Sequence, residues 1–204
     1  MPSRTVAIFD LGGVLVDWDP RHLYRKLFDG DEAAMEHFLS TMCTPQWNLC
    51  QDAGRSFAEA TELLAREHPE KRALIEAWGM RFDETMRGPI EGSVAILAEL
   101  RQRRVPLYAL TNWSAETFPV GRRRFDFFAW FQGIVVSGEE KLVKPDPRLY
   151  RLLLERYGLS AEDAVFIDDS PRNVAAAQAL GIHGIQFTDP PALRRALVEL
   201  GMLA

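Results

Sequence analysis

Apolar positions along this chain follow two rhythms. Short unbroken runs stand at Val6-Ala7-Ile8-Phe9, Leu107-Tyr108-Ala109-Leu110, Ile134-Val135-Val136 and Ala164-Val165-Phe166-Ile167, each bounded by turn or polar residues, and Gly184-Ile185-Gln186-Phe187 reads as a last strand. Runs of this length and composition read as strands buried on both faces. Helical spacing separates them: residues 94–104, a helix opened by Lys144-Pro145-Asp146-Pro147 and continued through Leu149, Leu152, Leu153 and Tyr157, a helix from Asn173 to Leu180 closed by Gly181, and a last helix from Pro191. Phe118, Phe125, Phe127, Phe128 and Phe131 crowd one further segment. Strands alternating with helices predict crossover units and a parallel sheet.

Residues 20–88 keep only the second rhythm. Leu23, Leu27 and Phe28 recur at helical spacing, as do Met35, Phe38 and Leu39, then Phe57, Ala60, Leu63 and Leu64, then Leu74, Ile75 and Trp78. Breaks fall at Asp29-Gly30-Asp31, Thr44-Pro45, Asp52-Ala53-Gly54 and His68-Pro69, and no strand is expected there. The predicted fold class is α/β: a doubly wound parallel sheet from residues 1–17 and 89–204, with an all-helical insertion over 18–88. The opening stretch reads as a strand, a tight turn at Gly12-Gly13 and a short hairpin through Val14-Leu15-Val16-Asp17.

Composition narrows the possibilities. The chain has 204 residues, enough for one sizeable core with a modest insertion, and its net charge of −5 leaves no basic footprint for nucleic acid. No run approaches the ~18 apolar residues of a membrane span. Met1-Pro2-Ser3-Arg4-Thr5 lacks the pattern of a secretory leader, so the expected compartment is the cytoplasm. In that setting Cys43 and Cys50 read as free thiols.

The polar residues at the ends of the predicted strands carry the chemistry. They are Asp10, Thr111 with Asn112, Ser137, and Asp168 with Asp169, and Lys144 follows closely on another strand. Open α/β sheets bind ligands at that edge. A carboxylate such as Asp10 can attack phosphorus and form an aspartyl-phosphate. Two anions repel, so the attack needs positive charge. Mg²⁺ takes oxygen ligands and uses one or two carboxylates; Asp10 and Asp169 can supply these, and the Gly12 backbone carbonyl a third protein oxygen. Lys144 can act as a point-charge phosphate binder, and Thr111 and Asn112 as hydrogen-bond donors to phosphoryl oxygens.

Taken in order, Asp10-Leu11-Gly12-Gly13-Val14-Leu15, Thr111-Asn112, Lys144-Pro145-Asp146-Pro147 and Ile167-Asp168-Asp169-Ser170 with Asn173 resemble the four motifs of the haloacid dehalogenase (HAD) superfamily. The resemblance covers essentially the whole chain. An insertion directly after the first motif resembles the C1-capped members of subfamily I, in which a helical cap closes over a Rossmann-like core. The resemblance implies Asp10 as nucleophile, Thr111 as phosphoryl ligand and Lys144 as the bridge between nucleophile and phosphate. It also implies Asp169 as a direct Mg²⁺ ligand, with Asp168 close by through water. The implied activity is that of a Mg²⁺-dependent phosphatase acting on a small phosphorylated metabolite, a sugar phosphate among the candidates.

One position departs from the pattern. Phosphatases of the superfamily usually carry an acid–base aspartate two residues after the nucleophile, and here that residue is Gly12. Such a group contributes about 10²–10⁴-fold. The substitutes considered are a good leaving group, metal-bound water, or a flap carboxylate, Asp17. Gly12 also suits a 2-haloacid dehalogenase, in which Asp10 attacks carbon without metal. A catalytically weak binding or regulatory protein is the third reading. The acidic pair favours phosphate chemistry, because a phosphate dianion needs a metal. Specificity is expected in the insertion, where Trp47, Asn48, Asp52, Gly54 and Arg55 form a polar and aromatic cluster; Trp47 and Arg55 are the expected leaving-group contacts, with Trp113 as a further wall. His22, His37, His68 and His183 share no metal-ligand spacing, and Arg122-Arg123-Arg124 reads as a solvated face.

Overall fold

A computed structural model describes residues 4–204. The amino-terminal stretch read for export signals begins with residues 1–3, which lie outside the described residues. Strand β1 (Val6–Phe9) runs into a tight turn and then into β2 (Val16–Trp18). Five helices follow: α1 (Arg21–Leu27), α2 (Glu32–Thr41), α3 (Pro45–Asp52), α4 (Phe57–Glu67) and α5 (Arg72–Met80). The chain returns through β3 (Met86–Pro89). Helix and strand then alternate through α6 (Glu91–Gln102), β4 (Leu107–Thr111), α7 (Phe118–Arg124), β5 (Gly133–Val136), the short α8 (Ser137–Glu140), α9 (Pro147–Tyr157), β6 (Ala164–Asp168), α10 (Pro171–Gln178), β7 (His183–Gln186) and α11 (Pro190–Glu199).

Five strands form one parallel sheet in the order β5-β4-β1-β6-β7. The chain builds outward from β1 to one side through β4 and β5, then to the other through β6 and β7. β1 is therefore the switch point, and the crevice at its C-terminal end is where such sheets bind ligands. Alternate residues face opposite layers. Ala7, Phe9, Leu107, Ala109, Val165 and Ile167 pack with Leu97 and Leu100 of α6 and Leu193 and Leu197 of α11. Val6, Ile8, Tyr108, Leu110 and Phe166 pack with Leu149, Tyr150 and Leu153 of α9 and Ala177 of α10. Both faces are covered, which is why the strands read as continuous apolar runs rather than alternating ones.

The breaks expected between 20 and 88 are helix boundaries. Asp31, Thr44 and Ser56 cap α2, α3 and α4 by accepting from the backbone N–H of Ala34, Trp47 and Glu59. The helices share an aromatic core, with Trp78 edge-on to Trp47 at 5.5 Å and tilted to Tyr24 at 5.9 Å.

Two local expectations are corrected. Residues 20–88 do contain a strand, β3, which pairs antiparallel with β2 from Val16–Pro89 to Trp18–Met86. The expected hairpin between the first strand and residues 14–17 does not form, because β2 takes β3 as its partner. The stretch before β2 is instead a coil held by Leu15 and Val16 N–H bonds to the Leu11 carbonyl. Cys43 is buried, Cys50 exposed, and both are free. Among the described residues no helix is long and apolar enough to cross a membrane.

Candidate active site

The residues singled out at the strand ends converge. Asp10 directly follows β1, and its backbone N–H continues the sheet by donating to the Ile167 carbonyl at 2.8 Å. Its Oδ1 accepts from the Leu11 amide at 2.7 Å, which points Oδ2 at the Lys144 Nζ 2.9 Å away. The same ammonium donates to Asp168 Oδ2 at 2.7 Å and to the Leu110 carbonyl at 2.9 Å. Lys144 is 2% exposed, so its three hydrogen bonds fix it in place. Its main chain is held as well: Asn112 Nδ2 donates to the Lys144 carbonyl at 3.1 Å, and Asn112 Oδ1 accepts the Lys144 N–H at 2.8 Å.

The acidic pair divides its work. Asp168 is fully buried and saturated: besides Lys144, it accepts from the Ser170 amide at 2.9 Å and from Asn173 Nδ2 at 3.0 Å. These contacts give Ser170 and Asn173 the task of orienting Asp168. Asp169 is exposed at the cavity. Gly13 lies against it in the left-handed region at φ +74°, and a Cβ there would meet Asp169 Oδ2 at 2.6 Å. Only glycine allows both the turn and that approach.

Carboxylate oxygens of Asp10, Asp168 and Asp169 lie within 4.8 Å of one another, and Lys144 is the ammonium among them. Burial raises the Asp10 carboxyl above its ordinary range; Lys144 opposes the shift, while Asp168 and Asp169 add to it. Burial alone would lower the Lys144 ammonium, but the Asp10 and Asp168 carboxylates outweigh it and the net shift is upward. Burial and Asp168 likewise raise Asp169. One ammonium does not balance three carboxylates. The remaining charge deficit and the all-oxygen donor set fit a small hard divalent cation.

Above this edge is a cavity of about 290 Å³. Asp10, Gly12, Gly13, Asn112 and Asp169 line it from the sheet side. Trp113, with its indole N–H donating to Thr117 Oγ1, forms one aromatic wall of the cavity, and Trp18 of β2 and Phe82 add two more. The helical insert contributes Asn48 and Asp52 of α3. Thr111, at the last position of β4, is 1% exposed and is not among the lining residues.

Trp47 and Arg55 do not reach this cavity. Arg55 donates to Gln51 Oε1 at 2.7 Å and to the Trp47 carbonyl at 3.2 Å, and Trp47 packs on Trp78 and Phe57. Trp47 and Gln51 form one i, i+4 row of α3 and Asn48 and Asp52 its neighbour, so one face of the helix serves the insert core and the other the cavity, while Arg55 lies beyond the helix end and folds back onto the first row. Asp17 also points elsewhere, with Oδ1 at 3.0 Å from His22 Nε2. Sequence reasoning missed Trp18 and Phe82, which lie 64 positions apart and reach one cavity only because the insert folds back.

A family model described as haloacid dehalogenase-like hydrolase matches residues 5–181. The chain belongs to this hydrolase family. It is 28% identical over 194 residues to the sesquiterpene phosphatase astK of Aspergillus oryzae, covering 95% of each chain. It is 28% identical over 182 residues to a phosphorylated carbohydrates phosphatase of Thermotoga maritima, covering 87% of this chain and 82% of that one. Among solved structures, a HAD family enzyme from Bacteroides thetaiotaomicron in complex with magnesium and inorganic phosphate superposes with a TM-score of 0.68 at 23% identity, over 91% of this chain and 94% of that one. At that identity the match establishes the shared fold.

Proposed function

We propose that this hydrolase is a Mg²⁺-dependent phosphatase of a small phosphorylated metabolite, working through an aspartyl-phosphate on Asp10. The observation that carries the reading is the split of the acidic pair. Asp168 is consumed in holding Lys144 against Asp10, while Asp169 is left facing the cavity beside the nucleophile. A dehalogenase has no use for that second free carboxylate, whereas a phosphate dianion approaching Asp10 needs a cation.

In this reading a carboxylate oxygen of Asp10 attacks phosphorus and the bond to the leaving-group oxygen breaks. Water then hydrolyses the acyl phosphate, releasing inorganic phosphate and regenerating Asp10. Lys144 Nζ, 2.9 Å from Asp10, holds the nucleophile and offsets incoming charge. Asp10, Asp169 and the Gly12 carbonyl would hold Mg²⁺, which would supply positive charge for the phosphoryl oxygens. Asp168 acts on Lys144 rather than on the metal. Thr111 and Asn112, ending the strand beside β1, are the proposed phosphoryl contacts, Asn112 also positioning Lys144. Residues 18–88 are read as a cap closing over the leaving group, with Trp113 as one wall. The similarity to the Thermotoga carbohydrate phosphatase supports a sugar phosphate within this class.

The test offers the purified protein para-nitrophenyl phosphate and, separately, a 2-haloacid, each with Mg²⁺ and with a chelator. Phosphate release abolished by the chelator, and absent in Asp10→Asn, is the expected result. Halide release indifferent to the chelator would establish the dehalogenase reading instead. Silence across a broad phosphate panel would favour a binding protein.

A further inference from the structure

The proposed phosphatase lacks a proton donor at position 12. In-line transfer puts the leaving group on the side of phosphorus away from Asp10. That side of the cavity is built by Trp18, Asn48, Asp52 and Phe82. Of these four, only Asp52 carries a group that exchanges protons near neutral pH.

We propose that Asp52, carried on α3 of the insert, is the general acid and base of this active site. This assignment rests on the phosphatase reading. In the first step the Asp52 carboxylic acid gives its proton to the leaving-group oxygen as the P–O bond breaks, so the product leaves as a neutral alcohol. In the second step the Asp52 carboxylate takes a proton from the water whose oxygen attacks the aspartyl-phosphate. Asp10 leaves as carboxylate, and Asp52 is again an acid.

The surroundings of Asp52 suit this task. The residue is 9% exposed and opens onto the cavity. Its Oδ2 accepts from Asn48 Nδ2 at 3.0 Å, a neutral amide one turn back on the same helix face, which orients the carboxyl without fixing its charge. Asp52 is also the last residue of α3, where the helix dipole disfavours an anion. Burial pushes the carboxyl up to about 7; the Ser114 backbone and, through space, the Lys144 ammonium pull the other way. The other charged groups sharing its cavity are Asp10 and Asp169. A carboxyl balanced between its two forms near neutrality is what an acid–base group needs.

Position is secured independently of the side chain. Ser137, at the end of β5, donates from Oγ to the Asp52 carbonyl at 2.6 Å and accepts the Trp113 N–H at 2.9 Å. Two residues on, Gly54 at φ +100° passes so close to the β5 end that a Cβ would stand 3.2 Å from the Gly138 carbonyl. The end of α3 is thus clasped to the sheet edge that carries the nucleophile.

The decisive experiment compares leaving groups. First-turnover rates are measured by rapid quench with Mg²⁺ present, on phenyl phosphate and on dinitrophenyl phosphate, for the wild type, Asp52→Asn and Asp52→Ala. Phenolate needs a proton to leave, and dinitrophenolate does not. The expected result is a loss of about 10²–10⁴-fold on phenyl phosphate and less than about tenfold on dinitrophenyl phosphate, with KM little changed. Equal losses on both esters in either folded variant, or a change in KM alone, would overturn the assignment and make Asp52 a substrate-binding or structural residue. An Asp52→Asn protein as fast as an active wild type would also overturn it, leaving the phosphatase reading intact. A wild type silent on both esters would overturn both together.

Discussion

Asp168 and Asp52 are both buried carboxylates at one cavity, and their surroundings treat them in opposite ways. Asp168 receives an ammonium, a backbone amide and a side-chain amide. Asp52 receives two neutral donors, the Asn48 side-chain amide and the Ser114 backbone N–H. The sheet edge therefore pairs its buried carboxylate with a full positive charge, whereas the carboxyl on the insert wall is held by neutral groups. Positioning and proton transfer place opposite demands on a carboxyl, and under the proposed assignment the two fall to different regions of the fold.

Breaking the first environment is expected to have the largest effect. Lys144→Ala leaves Asp10 and Asp168 buried without their cation. It is expected to abolish turnover and to cost about 3–5 kcal/mol of stability, measured by urea unfolding. Conversely, if Lys144→Ala keeps its stability, the sheet edge is not the over-determined element described.

The second environment predicts the reverse sign. The Asp52 carboxyl is raised from 3.8 to about 7 in the folded protein, so the folded state keeps a proton that the unfolded chain releases at lower pH. Wild-type stability is thus eroded as pH rises across that window. Asp52→Asn removes the penalty. It is expected to raise the melting temperature by at least about 2–4 °C above pH 7, with the gain fading towards pH 4. The same variant should lose the fall in first-turnover rate on phenyl phosphate that the wild type shows as pH rises through about 7. A variant destabilised at every pH would mean that Asp52 is a structural carboxylate like Asp168.

The smallest effect is expected at Arg55, which lies just beyond α3 and folds back onto the helix face turned from the cavity. Arg55→Ala removes bonds to Gln51 and to the Trp47 carbonyl, away from the cavity. Its kcat/KM should stay within about threefold of wild type and its stability within about 1 kcal/mol. A large rise in KM would return Arg55 to the leaving-group site.

These particulars show where sequence reasoning reaches its limit. The strands and the convergence of Asp10, Lys144, Asp168 and Asp169 were legible because a parallel sheet buried on both faces forces apolar runs to stop at one edge. β3 was not legible. Met86-Arg87-Gly88-Pro89 has no alternation and no β-branched residue, and it is a strand only because β2 lies beside it. The choice within α3 was half legible. Helical periodicity separates Asn48 and Asp52 from Trp47 and Gln51, but which row faces the cavity is decided by the Ser137 and Gly54 contacts with the sheet, far away in sequence.

The antiparallel ribbon of β2 and β3 has a consequence for the history of such a chain. It brings the points where the insert leaves and rejoins the core side by side, about 4.8 Å apart across one ladder. Any segment whose two ends meet at that spacing can be spliced into the same socket without altering the order β5-β4-β1-β6-β7. The carboxylates and lysine of the sheet edge would not register the exchange. On this scaffold the insert wall of the cavity, and Asp52 with it, can be replaced as a cassette while Asp10 and Lys144 stay in place.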